Sequence, residues 1–202
     1  MKLAVMTQPT FFVEEDKILA SLFDEGLDNL HLYKPGSSPM YSERLLTLLP
    51  EDYYSKITVH DNFYLKEEYK LHGIHIDDVS QLVPKGYKGH VSRTCTRLED
   101  LKEAKRNAEY VFLKYIFDSQ TELAQKASFT ETELREASHR GLIDRHVYAL
   151  GGMNLDTVRL ARDLGFGGVV ISGDLWNRFD IHHELGYQEL INHFIKLRKA
   201  IG

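Results

Sequence analysis

Cysteine is almost missing: Cys95 is the only one in 202 residues, so a disulfide scaffold is excluded. Long apolar runs are missing too. A membrane-spanning helix needs roughly 18 or more apolar residues in succession, and no such stretch occurs. The opening residues MKLAVMTQP turn polar too early for a secretory signal and read as a buried strand. The expected compartment is therefore the cytoplasm. A concentrated basic surface is also lacking. Lys and Arg are scattered and the formal charge is −5, which argues against nucleic acid as the main partner, because backbone phosphates are held by clustered cations. A small anionic ligand at a local site stays compatible with that balance. No linker, internal repeat or low-complexity segment interrupts the chain, so residues 1–202 read as one domain.

What is present is an ordinary globular mixture, 43% hydrophobic and 27% charged, which disfavours disorder. Short apolar runs recur at 3–6, 30–33, 57–60, 73–76, 90–91, 110–113, 147–150 and 168–171. Between them lie helical patterns at 16–23, 42–49, 64–71, 98–108, 128–137, 154–164 and 188–201, and a weak segment at 79–82. Thr130 and Glu133 stand three apart, as a capping box requires. Strand–helix alternation implies a parallel sheet, since parallel neighbours need a crossover. Eight units predict an α/β fold of the closed (β/α)8 TIM-barrel type, with a doubly wound open sheet as the alternative. The usual barrel has about 250 residues and the floor is about 200, so loops must be short and the site small.

In such a barrel chemistry sits in the loops that follow the strands. Gly151 and Gly152 follow the seventh run, and Ile171, Ser172 and Gly173 end the eighth. Glycines there let backbone N–H groups approach a ligand, and the helices that follow add positive dipole ends, so these loops are the candidate phosphate site. Tight turning alone would explain the same glycines. Lys34 ends the second run and is a candidate anion contact. His31 shares a strand face with Tyr33, and His60 and His75 lie on adjacent strands. Zinc is disfavoured because no third ligand with recognisable spacing accompanies His60 and His75. Asp61, with Asp77 and Asp78 nearby, has the oxygen chemistry of a magnesium ligand, or else caps the following helix. Ser119 and Thr121 are candidate substrate contacts in a long stretch that could form a lid. Cys95 has no adjacent base and reads as an idle thiol. His182 and His183 read as a surface pair.

Several blocks in order carry a resemblance: His31-Leu32-Tyr33-Lys34-Pro35, Gly73-Ile74-His75-Ile76, Leu98-Glu99-Asp100, Tyr110 to Leu113 with Ile116-Phe117-Asp118-Ser119, Ala149-Leu150-Gly151-Gly152, and Gly167-Gly168-Val169 to Ser172. Along nearly its whole length the chain resembles the thiamin phosphate synthase and TenI family of small (β/α)8 barrels. The resemblance implies a thiazole phosphate on the backbone of Gly151, Gly152, Ile171 and Ser172. A synthase would also take a hydroxymethylpyrimidine pyrophosphate and use Mg²⁺, held by Asp61; a TenI-like tautomerase would need no cofactor. The family's Gln-x-Arg-x-Lys motif falls on His31, Tyr33 and Pro35, and its Thr-x-Thr-Lys on Ser119 to Glu122. Three cations that would face pyrophosphate are thus replaced, which favours a TenI-like protein over a competent synthase. The TenI histidine aligns with Thr96, which cannot serve as a base near neutrality, so His31, His60 or His75 would have to replace it. A non-catalytic regulatory barrel is a further alternative. Neither membrane nor nucleic acid is an expected partner, and the sequence leaves homo-oligomer formation open.

Overall fold

In a computed structural model, residues 1–78, 80–118, 126–179 and 186–202 are described. Eight parallel strands close into a barrel in chain order: β1 (Lys2–Met6), β2 (Asn29–Leu32), β3 (Ile57–Val59), β4 (Gly73–Ile76), β5 (His90–Cys95), β6 (Tyr110–Lys114), β7 (Val147–Leu150) and β8 (Gly168–Ile171). Closure is made by β1 against β8, with Leu3 opposite Val169 and Val5 opposite Ile171. Helices α1 (Glu15–Asp24), α2 (Pro39–Leu48), α3 (Tyr64–Glu68), α4 (Leu101–Ala104), α5 (Glu131–His139), α6 (Thr157–Asp163), α7 (Gly173–Trp176) and α8 (Gly186–Ile201) follow the strands in turn, except that no helix joins β4 to β5 among the described residues. Among these residues no helix is long and apolar enough to cross a membrane.

Because side chains alternate along a strand, each strand feeds two different cores. Leu3, Val5, Leu30, Leu32, Ile57, Val59, Ile74, Val111, Leu113, Val147, Ala149, Val169 and Ile171 point outward and join the buried faces of the helices, such as Leu190, Phe194 and Leu197 of α8. The opposite set fills the lumen. Ala4, Tyr110, Phe112, Leu150 and Val170 form a small apolar cluster there, and His31, Thr58, His60, His75 and Ser92 are buried beside it. The strand runs therefore read as continuously apolar only where both sides are apolar; β5 (HVSRTC) is polar on its lumen side and extends four residues beyond the predicted 90–91.

Local chemistry shifts several helix ends from their predicted places. The capping box of α5 forms as expected: Thr130 Oγ1 accepts from the Glu133 amide at 3.3 Å, and the Glu133 carboxylate accepts from the Thr130 amide at 2.7 Å. The 154–164 helix starts late, at Thr157, because the Asn154 side chain takes the amides of Asp156 and Thr157 at 2.9 and 3.0 Å. The 64–71 helix stops at Glu68, shortly before Lys70 turns to a φ of 54°. The 98–108 helix is a short α-helix, α4, between two 3-10 turns, Leu98–Asp100 and Lys105–Asn107.

Candidate functional site

A cavity of about 960 Å³ opens at the C-terminal ends of the strands. Its walls come from successive loops: Thr7 and Gln8 after β1, Tyr33 after β2, Asp61 after β3, Asp77 after β4, Lys114 ending β6, Gly151 and Gly152 after β7, Ser172 and Gly173 after β8. Strand order places the β3 and β4 carboxylates across the barrel from the β7 and β8 glycines. Met6, Leu150, Val170 and Trp176 supply apolar surface between them. The wall is fastened at β1 and β2: Thr7 Oγ1 donates to the Tyr33 carbonyl and accepts the Tyr33 amide, both at 3.0 Å, and Trp176 Nε1 donates to the Met6 carbonyl at 2.7 Å.

The glycines at the β7 end are demanded by space as well as by backbone. Gly151 has φ 108° and Gly152 φ 64°. A Cβ on Gly152 would lie 2.5 Å from the Asp118 carbonyl oxygen and 2.6 Å from Phe117 Cβ. The β7 loop therefore packs directly against the loop leaving β6. Ser172 and Gly173 line the cavity, but Ile171 does not; its side chain belongs to the outer core and its backbone pairs with Val5. Of the expected backbone anion contacts, Gly151, Gly152 and Ser172 line the cavity, and Ile171 stands directly before it at the end of β8.

Asp61 carries the clearest electrostatic signature. Its Oδ2 is buried with no hydrogen-bond partner. Burial raises the carboxyl above the usual range and Asp77 raises it further, while His60 and the Lys34 amide oppose them. A buried carboxylate oxygen left bare is costly unless something positive reaches it. Asp61, Asp77 and Asp78 all line this cavity and offer oxygen, the ligand type that a hard divalent ion such as Mg²⁺ takes.

The three candidate histidines are brought together, but under the cavity floor. His31, His60 and His75 are wholly buried in the lumen, and none lines the cavity. Their rings pack on one another, and those of His31 and His75 on Phe112. A hydrogen-bonded chain runs upward through them: Tyr110 OH to His31 Nε2 (2.9 Å), His31 Nδ1 to His60 Nε2 (2.8 Å), and His60 Nδ1 to the Asp77 carboxylate (2.9 Å). His75 is held by Ser92 Oγ at 2.7 Å and Thr94 Oγ1 at 2.8 Å. Burial pushes His31 and His75 well below the usual imidazole range, with His60 adding to it, so both are neutral near pH 7. The expectation that these rings act directly on a ligand is corrected: Asp77 is the group through which the chain meets the cavity. That His31 meets His60 was not legible in sequence, because the two lie 29 positions apart and come together only by strand pairing.

Lys34 is also corrected. Alternation sends Tyr33 to the cavity and Lys34 the other way, where Nζ meets Glu15 Oε1 of α1 at 2.6 Å and the Thr10 carbonyl at 2.9 Å, over the Phe11 ring. Both side chains are almost wholly buried. Glu15 is pushed up to about 7 by burial, against the pull of Lys34. A carboxyl raised in the folded state contributes stability that is complete below its unfolded value of 4.5 and lost as pH rises through the folded value. Lys34→Met removes the opposing cation, raises Glu15 further and extends that loss to higher pH. Urea unfolding of Lys34→Met is expected to match the wild type within about 1 kcal/mol at pH 5.5. It should fall about 3 kcal/mol below it at pH 8.5, as for a buried pair stripped of one partner. A pH-independent gap would refute the pairing.

Cys95 is buried, and burial pushes its thiol up to about 11, as suits an inert side chain. Ser119, Thr121, His182 and His183 lie outside the described residues. Lys114, Met153 and Trp176 line the cavity without having been singled out as site residues; the only signal for them was their place in a loop or strand end beside the glycines.

No protein-family model matches the sequence, and no curated protein does. Solved structures do. A thiamine phosphate pyrophosphorylase from Bacteroides thetaiotaomicron is 50% identical, with a TM-score of 0.91 over 99% of this chain and 97% of its own. A thiamine phosphate pyrophosphorylase from Pyrococcus furiosus shares the fold at 18% identity and a TM-score of 0.71, over 99% of this chain and 95% of its own. A 3-hexulose-6-phosphate synthase shares it at 15% identity and a TM-score of 0.65, over the full length of both chains. With half of its residues identical over nearly its whole length to the first of these, the chain belongs to the thiamine phosphate pyrophosphorylase, or thiamin phosphate synthase, family.

Proposed function

We propose that this barrel joins a hydroxymethylpyrimidine pyrophosphate to a thiazole phosphate, releasing pyrophosphate. The observation that carries the reading is the two-sided cavity: bare carboxylate oxygen at Asp61 on one wall, and glycine backbone on the wall opposite. The backbone of Gly151, Gly152, Ser172 and Gly173 would hold the thiazole phosphate, whose single phosphate needs amide N–H groups more than cations. Asp61 and Asp77 would hold Mg²⁺, which neutralises a departing pyrophosphate. Lys114 lines the same cavity and supplies a cation that the altered second-strand motif does not. Tyr33, in the place of the motif's arginine, turns that part of the wall aromatic. Apolar Met6, Leu150, Val170 and Trp176 would keep water from a pyrimidine-methyl cation while the thiazole nitrogen attacks it.

A TenI-like proton transfer is the second reading. It is favoured by Asp77, which faces the cavity and is backed by His60 at 2.9 Å, as a carboxylate base would be. Against it stands Thr96, which lines the cavity at the position where the resemblance expects a histidine. The two readings separate in one assay. Purified protein with both substrates and Mg²⁺ is expected to form thiamin phosphate, and chelation should stop it. Binding of thiazole phosphate without any thiamin phosphate at high enzyme concentration would overturn the coupling reading in favour of the second.

A further inference from the structure

The opposite end of the barrel carries a second cluster of metal-ligating side chains. His72 directly precedes β4, His90 begins β5 and Glu109 directly precedes β6, so three adjacent strands deliver one residue each to the N-terminal rim. His72 Nε2 lies 2.8 Å and His90 Nδ1 3.0 Å from the same oxygen, Glu109 Oε2. The imidazoles stack with centroids 4.5 Å apart and planes within 6°. About 16 Å of strand, five residues at 3.3 Å each, separates His72 from Asp77 at the other end.

We propose that His72, His90 and Glu109 form a binding site for a borderline divalent cation of the zinc class, with solvent completing the shell. Two imidazole nitrogens and one carboxylate oxygen are a donor set that zinc accepts. Their donor atoms all lie within 4.8 Å of one another. Zinc–nitrogen bonds of about 2.1 Å place tetrahedral donors about 3.4 Å apart, close to the present spacing, and the stacked rings must turn out of parallel for both lone pairs to meet one ion. The cluster is open to solvent, with His72, His90 and Glu109 exposed by 23%, 58% and 40%, which gives an ion access and leaves room for water.

The backbone beneath is fixed. The His72 amide donates to the Ile57 carbonyl at 2.9 Å, the His90 carbonyl accepts from Tyr87 OH at 3.0 Å, and the Glu109 amide donates to the Val91 carbonyl at 2.8 Å. His146 Nδ1 holds the Glu109 carbonyl at 3.1 Å. Gly73 permits the close approach of β4 to β5, since a Cβ there would sit 2.4 Å from the His90 carbonyl oxygen. The lumen trio of His31, His60 and His75 also has its donors within 4.8 Å. There every ring nitrogen already has a hydrogen-bond partner and no surface reaches solvent, so that trio is complete without an ion. An ion at the rim would clip the starts of β4, β5 and β6 together and stabilise the barrel by linkage.

Isothermal titration of zinc chloride into the purified chain tests this, with millimolar Mg²⁺ present to occupy the cavity carboxylates. About one equivalent of zinc is expected to bind, with a rise in Tm. His72→Ala, His90→Ala and Glu109→Gln should each weaken binding at least about tenfold and remove the rise, since each deletes one of three ligands. These exposed positions leave the core intact, which circular dichroism verifies. Absence of zinc binding to the wild type would overturn the site. So would unchanged binding to the His72→Ala/His90→Ala double variant, which would place the ion on the lumen histidines or the cavity carboxylates. Neither readout depends on coupling activity, so failure here and failure of the coupling reading are separate results.

Discussion

Gly152→Ala is expected to lower kcat/KM for thiamin phosphate formation at least about 100-fold and to destabilise the protein by about 3 kcal/mol. One methyl group suffices, because two effects coincide. A φ of 64° costs an alanine about 1 kcal/mol, and the added Cβ would stand 2.5 Å from the Asp118 carbonyl and 2.6 Å from Phe117 Cβ. Neither neighbour can swing aside: one is backbone, and the other is fixed to it. The loops after β6 and β7 must separate, and Phe117, Gly151 and Gly152 all line the cavity. Gly141→Ala provides the comparison. Its φ is 70° but nothing lies within 4 Å of the added methyl. That variant should lose only the backbone contribution, about 1 kcal/mol, and keep its activity. Equal stability losses in the two variants, read by urea unfolding, would refute the close-packing argument.

Asp61→Asn is expected to separate stability from activity. The amide keeps the shape but removes the buried charge, so coupling should fall at least about 100-fold with loss of a charge-stabilising ligand. Stability in chelator should move the other way. The carboxyl of Asp61 is raised above its ordinary 3.8, so its contribution is complete below that value and is lost as pH rises through the folded one. At pH 7 the wild type has therefore lost a contribution that the asparagine variant never had at stake. Tm of Asp61→Asn in chelator should equal or exceed that of the wild type at pH 7, with the advantage shrinking toward pH 4. Mg²⁺ should raise Tm of the wild type and not of the variant. A variant that is inactive and also less stable in chelator would identify Asp61 as a structural cap instead.

Together the variants divide the cavity into a wall that depends on backbone space and a wall that depends on charge. The same division would let an acidic protein take the anionic substrates proposed for it. Amide dipoles and a bound cation act over a few ångströms, whereas the formal charge of −5 is spread over the whole surface and screened by salt.

Much of this was legible from the residues alone. Eight apolar runs with intervening helical patterns pointed to a parallel sheet, because parallel neighbours need crossovers, and their number favoured a closed barrel over a doubly wound open sheet. The Thr130–Glu133 cap is a local feature, decided by a neighbour three positions away, and the glycines after β7 and the carboxylate after β3 stood out by residue type and place in the pattern, although the space around Gly152 and the burial of Asp61 come from distant loops. What the chain could not declare by itself depends on strand pairing and on which side of a strand a residue faces. Lys34 looked like an anion contact until alternation put Tyr33 in the cavity and Lys34 against Glu15. His31, His60 and His75 looked like separate candidates until parallel pairing stacked them beneath Asp77. His72, His90 and Glu109 carried no signal at all, since 37 residues separate the first from the last. Local hydrogen bonds and hydrophobic period are written in sequence; the meeting of side chains from different strands is set only when the barrel closes and fixes register and inward or outward facing at once.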